Sequence, residues 1–157
     1  MTAVADIAGN IIKKDVIAIR SVDDRHLITV GVIPWAQVFK GAKPLFESPE
    51  VGGPLDFVSV HFYPKAVDLE ESLAALKVYE VGKPLVIEET FPLEAGIDKT
   101  AQFIEKTRPF VDGYVSFYWG KTIDENNKKG DVGGALMAQW LERFRALSPY
   151  TASAAQK

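Results

Sequence analysis

Two adjacent glutamates, Glu88 and Glu89, close a short apolar run, Leu85-Val86-Ile87, in the stretch GKPLVIEETF. A carboxylate at the end of a buried strand is costly unless hydrogen-bond donors or opposite charge offset its desolvation. The types that supply such donors recur at comparable places in the chain. His61 and Tyr63 follow the run Phe57–Val60, and Tyr118 and Trp119 follow Tyr114–Phe117. Trp35 comes four residues after Gly31. Carboxylates can act as nucleophile, acid or base, histidine and tyrosine can hold a carboxylate in its charged form, and a flat indole offers an apolar face to a ligand.

Four elements must position these residues. The runs HLITVG (26–31), FVSVH (57–61), LVIEE (85–89) and YVSFY (114–118) read as strands. They start 31, 28 and 29 residues apart. Between and around them stand helical repeats. Ile12, Val16 and Ile19 form one; Leu69, Leu73, Leu76 and Tyr79 a second, ended by Gly82 and Pro84; Ile97, Ala101, Ile104 and Arg108 a third; Leu136, Trp140, Phe144 and Leu147 a fourth, stopped by Pro149. Strands alternating with helices predict an α/β fold with a parallel sheet, in which chemistry gathers at the carboxyl ends of the strands. Alternation puts Ser59, His61 and Tyr63 on one face and Val58, Val60 and Phe62 on the other. Glu88 is expected to point away from Glu89 for the same reason. The link from Val32 to Pro54, rich in proline and glycine, leaves room only for a short helix, and a loop of that length is usually functional.

The totals narrow the classes. The 157 residues fit about one domain, and 47% hydrophobic with 25% charged residues is ordinary globular composition. A net charge of −3 with scattered basic residues argues against a nucleic-acid partner. No cysteine and only two histidines, His26 and His61, exclude a disulfide framework and argue against a metal centre; no cofactor is implied. No apolar stretch has the length of a membrane span and no signal peptide opens the chain. The compartment stays open, with secreted or periplasmic placement included if a segment precedes Met1. Residues 1–148 read as one domain and 149–157 as a flexible tail. Trp140 reads as core, His26 as structural, and Asp23-Asp24 as a turn.

The segments RSVDDRHLITVG, LDFVSVHFYP, GKPLVIEETF and VDGYVSFYWG, in that order, resemble the second half of a clan A glycoside hydrolase, nearest to family 5, the cellulases and mannanases. The resemblance covers about residues 3 to 147. It implies half of a (β/α)8 barrel, with parallel strands corresponding to the fifth through eighth and helices outside. Such enzymes hydrolyse β-linked sugars with retention, using two glutamates. Carried over by residue, the resemblance implies Glu89 as nucleophile, five residues after Pro84, with His61 and Tyr63 beside it. It implies Trp119 as floor of the sugar site, and Trp35, Tyr118 and Glu88 as further substrate contacts. Thr90-Phe91 departs from the aromatic and glycine that often follow this glutamate. The family's acid/base glutamate follows an asparagine, and no Asn-Glu step occurs here. The chain alone is therefore expected to be inactive, with a β-linked saccharide as ligand and a missing amino-terminal half-barrel or a second copy as partner. The alternative is a non-catalytic half-barrel that binds carbohydrate or self-associates to complete a barrel. A flavodoxin-like sheet would want a phosphate or metal site at its first strand, which HLITVGVIPW lacks.

Overall fold

The computed structural model describes residues 3–39 and 41–148; the carboxyl-terminal segment expected to be a tail lies outside them. The element order is α1 (Ala3–Arg20), β1 (Gly31–Val32), α2 (Trp35–Val38), β2 (Val58–His61), α3 (Leu69–Lys77), β3 (Leu85–Thr90), α4 (Gly96–Thr107), β4 (Gly113–Ser116), α5 (Ile123–Asn127) and α6 (Val132–Leu147). The sheet is four-stranded and all parallel, in the order β1-β2-β3-β4. The α/β class and its parallel sheet follow the expectation from alternating runs.

The helices begin where side chains can take up free backbone N–H groups. Asp68 accepts from the Glu71 N–H at the start of α3, and Asp131 from the Gly134 N–H at the start of α6. At α5, Thr122 and Glu125 cap each other reciprocally. The turn after α3 passes through Gly82 at φ 85°, a conformation side chains resist. Helices and strands then meet along the even-numbered residues of β2. Val58, Val60 and Phe62 pack with Leu85 and Ile87 against Leu76, Tyr79 and Phe103. The rings of Phe62 and Phe103 stack with centroids 5.3 Å apart. A second cluster, Ala8, Ile12, Ile28, Val51 and Leu55, holds α1 to the segment before β1 and to the link after it. A third, Ala101, Ile104, Trp140 and Leu147, joins α4 to α6.

Two strand boundaries differ from the sequence reading. The first run was expected to be a strand over 26–31, but β1 comprises only Gly31 and Val32. Side chains take over the bonding upstream. The Ile28 N–H donates to the Asp56 carboxylate, which also pairs with Arg20 at 2.5 Å, and the Thr29 hydroxyl donates to the Phe57 carbonyl. The last strand runs from Gly113 to Ser116 instead of 114–118, which leaves Tyr118 beyond it. Among the described residues, the link after β1 carries one helix, the four-residue α2.

Candidate functional site

The carboxyl ends of β2 and β3 bring together His61, Tyr63, Glu88 and Glu89. The register explains how. Val58, Ser59 and Val60 pair with Leu85, Val86 and Ile87, but His61 pairs with Glu89, so one residue of β3 is skipped. A second shift falls between Ile87 and Thr90 on the β4 side. Such an irregularity re-aims side chains. Glu88 therefore does not point away from Glu89, as strict alternation implied. Both carboxylates reach the same imidazole: His61 Nε2 lies 3.0 Å from Glu88 Oε1, and His61 Nδ1 lies 3.6 Å from Glu89 Oε2. The side chains of Glu88 and Glu89 are 26% and 24% exposed, which leaves a face of each open to a ligand.

Glu89 also has a hydrogen-bond donor. The Tyr63 hydroxyl donates a short hydrogen bond to Glu89 Oε1. Burial raises the Tyr63 hydroxyl well above the ordinary phenol range, and the Glu89 hydrogen bond and charge push it the same way, so Tyr63 is a donor at any physiological pH. Tyr63 is held from behind. Gln37 of α2 donates to its carbonyl at 2.5 Å, and Lys65 Nζ donates to the Gln37 carbonyl at 3.2 Å. The backbone fixes Glu89 too, because its carbonyl accepts the Phe62 N–H at 2.8 Å.

The two glutamates line one end of an open cleft of about 570 Å³ that continues over Phe91, Leu93, Val115, Phe117, Tyr118 and Trp119. Trp119 stands free of the protein surface, fully exposed. Tyr118 lines the same cleft, but its hydroxyl is engaged, donating to the Lys121 carbonyl and accepting from Asn126 Nδ2. Trp35 is not part of this group. It opens α2, stacks on Phe39 with centroids 5.8 Å apart, and lines a separate cleft with Gly31, Phe46 and Glu47. Trp140 is buried in the third cluster and donates to Ser116 Oγ, as a core residue should. His26 is exposed and binds Asp23, whose carboxylate also caps the turn at Arg25. Among the described residues no group of His, Asp and Glu side chains is arranged to hold a metal ion, and no helix is long and apolar enough to cross a membrane.

Three residues of the site's surroundings carried no sequence signal. Gln37 and Glu47 lie in the link without a period, and Gly31 is one glycine among twelve. Comparison with protein-family models finds no match, and comparison with curated proteins and with solved structures finds no significant one.

Proposed function

We propose that this chain is the carboxyl-terminal half of a retaining β-glycoside hydrolase, with Glu89 as nucleophile and a β-linked oligo- or polysaccharide as substrate. The observation that carries the proposal is the convergence of Tyr63 and His61 on Glu89 at adjacent parallel strand ends, beside an exposed indole. In this reading Glu89 attacks the anomeric carbon, the bond to the leaving oxygen breaks, and a glycosyl ester forms. Water then attacks that carbon and releases Glu89. Tyr63 and His61 aim Glu89, and Trp119 offers its face to the C–H side of a sugar ring. Glu88 shares a histidine and a strand with Glu89, so both lie on one side of a bound sugar. Glu88 therefore contacts substrate and is not the acid on the leaving-group side, about 5 to 5.5 Å from the nucleophile, that retention requires.

Four parallel strands with β1 and β4 as open edges fit half of an eight-stranded barrel. The proton donor belongs, in this reading, to a complementing half-barrel. The second reading, a non-catalytic half-barrel that binds carbohydrate or pairs with itself, is favoured by one feature: Val115 and Phe117, at edge strand β4, are 53% and 60% exposed.

A probe that needs no acid separates the two. A β-cellobioside or β-mannoside with fluorine beside the anomeric carbon and a dinitrophenolate leaving group forms a slow-hydrolysing ester with a competent nucleophile. Peptide mass mapping should find one glycosyl unit on Glu89, absent from Glu89→Gln. An adduct on Glu88, or none with either sugar, overturns the nucleophile assignment and leaves the binding reading.

A further inference from the structure

Tyr63 reaches Glu89 from a stretch of backbone that is leaving the sheet. β2 ends at His61, and the Phe62 N–H donates to the Glu89 carbonyl at 2.8 Å. Pro64 follows Tyr63 and has no N–H to continue the ladder. The next N–H, that of Lys65, turns away to Ser72 Oγ of α3 at 3.1 Å. Yet the Tyr63 hydroxyl, at the far end of a long side chain, must stay on Glu89 Oε1. A tilt of about 10° at the backbone would carry that hydroxyl about 1 Å aside, enough to spoil an aligned hydrogen bond.

Gln37 of α2 meets this need from outside the sheet. Its Nε2 donates to the Tyr63 carbonyl at 2.5 Å, and its own carbonyl accepts from Lys65 Nζ at 3.2 Å. One residue therefore grips the chain on both sides of Pro64. The Tyr63 carbonyl can only accept, so the nitrogen end of the amide is the end that faces it. α2 is itself fixed: the Gln37 N–H donates to the Pro34 carbonyl at 2.8 Å, and Ala36 packs against the core that holds Leu76 and Tyr79. Neither Gln37 nor Lys65 lines the cleft beside Glu89.

We infer that Gln37 is a positioning residue, through which α2 and the link after β1 hold the Tyr63 backbone so that its hydroxyl stays on Glu89. A neutral amide does this without bringing a further charge to the carboxylates. The residue lies 26 positions from Tyr63 in the chain, so the contact ties the link to the strand end and is not a local turn. As a statement about catalysis the inference rests on the reading of Glu89 as nucleophile. As a statement about the Tyr63–Glu89 hydrogen bond it stands alone.

The test compares the full chain with Gln37→Met, which keeps the side-chain length and loses the donor. Tyrosines are labelled with carbon-13 at the ring carbon that bears the hydroxyl, and spectra are taken at pH 7, with Tyr63→Phe assigning the signal. Glu89→Gln marks where that signal lies when the charged acceptor is gone. Gln37→Met should move it at least about halfway to that mark, while the signal of Tyr114, bonded to Thr107, stays in place. A Tyr63 signal that does not move overturns the inference. Should Gln37→Met fail to fold, Lys65→Met decides, since it removes only the bond to the Gln37 carbonyl. A smaller step in the same direction supports the grip, and no step overturns it. With the fluorinated glycoside, Gln37→Met should esterify Glu89 about tenfold more slowly at saturation, with half-saturation within about twofold. An unchanged rate overturns the positioning role. If the wild type forms no ester, the nucleophile reading fails while the spectra still decide the role of Gln37.

Discussion

The two faces of the sheet use the same four strands for opposite purposes. Toward the helices, Val58, Val60, Phe62, Leu85 and Ile87 are at most 2% exposed and close on Leu76, Tyr79 and Phe103. Toward the open side the alternate positions carry Thr29 and Ser59, joined by a 3.1 Å hydrogen bond, then His61, Glu88 and the exposed Val115. A period of two makes that division automatic along each strand. The difference teaches that packing fixes the register and the open face inherits it. A one-residue slip would exchange the faces, burying His61 and Glu88 among the helices, and the apolar side prevents it. Only at the strand ends, past the last well-packed pair, does the register shift and bring both glutamates to the open side.

The comparison breaks most visibly from the packed side. Phe103 is fully buried and stacked on Phe62, so Phe103→Ala should cost about 3–5 kcal/mol. For a domain stable by about 5–15 kcal/mol that is a large fraction, read directly in a urea melt. A loss under about 1 kcal/mol would mean that the helix face is not the one holding the sheet together. The next effect in size comes from the link after β1 and depends on pH. The Glu47 carboxyl is raised from 4.5 to about 7 in the folded chain. Between those values the unfolded chain gives up this proton and the folded chain keeps it, so the unfolded state binds fewer protons and stability falls as pH rises. The contribution is fully present below 4.5 and is lost as pH rises through about 7, amounting to at most about 3 kcal/mol. Melts across this window should show that decline in the wild type and a flatter profile in Glu47→Gln. Equal slopes would show that Glu47 ionises alike in both states.

How far the sequence revealed this arrangement depended on whether a residue's neighbours are set by period or by tertiary contact. The face assignment of Val58, Val60 and Phe62 against Ser59, His61 and Tyr63 was legible, because alternation is local. The beginning of β1 was not. HLITVG has strand composition, yet the Asp56 side chain takes the Ile28 N–H and the regular ladder starts only at Gly31. Nor was the shared orientation of Glu88 and Glu89, which depends on how β3 meets β2 and β4. Glu47 was silent for a third reason. Its burial is produced by a loop folding over β1, and no periodicity in a proline-rich link reports that. Tyr118 shows the converse: it is expected to contact substrate, but the Lys121 carbonyl and the Asn126 amide occupy its hydroxyl.

The smallest effect on stability should accompany the sharpest effect on recognition, and two tryptophans measure it. Trp140 is 1% exposed, touches Phe91 and Phe144, and spends its N–H on Ser116. Trp119 shares the chain's aromatic content but buries nothing, so Trp119→Ala should change stability by no more than about 0.5 kcal/mol. An indole with no packing partner is the group a sugar ring can cover without displacing protein contacts. Calorimetric titration with a β-linked gluco- or manno-oligosaccharide should therefore show binding at least about tenfold weaker in Trp119→Ala, about 1.4 kcal/mol. Unchanged affinity would remove Trp119 from the site and with it the reason for reading the cleft beside Glu89 as a saccharide groove. A large loss of stability would instead mean that this indole is covered in solution by another surface, which is what the self-associating half-barrel requires.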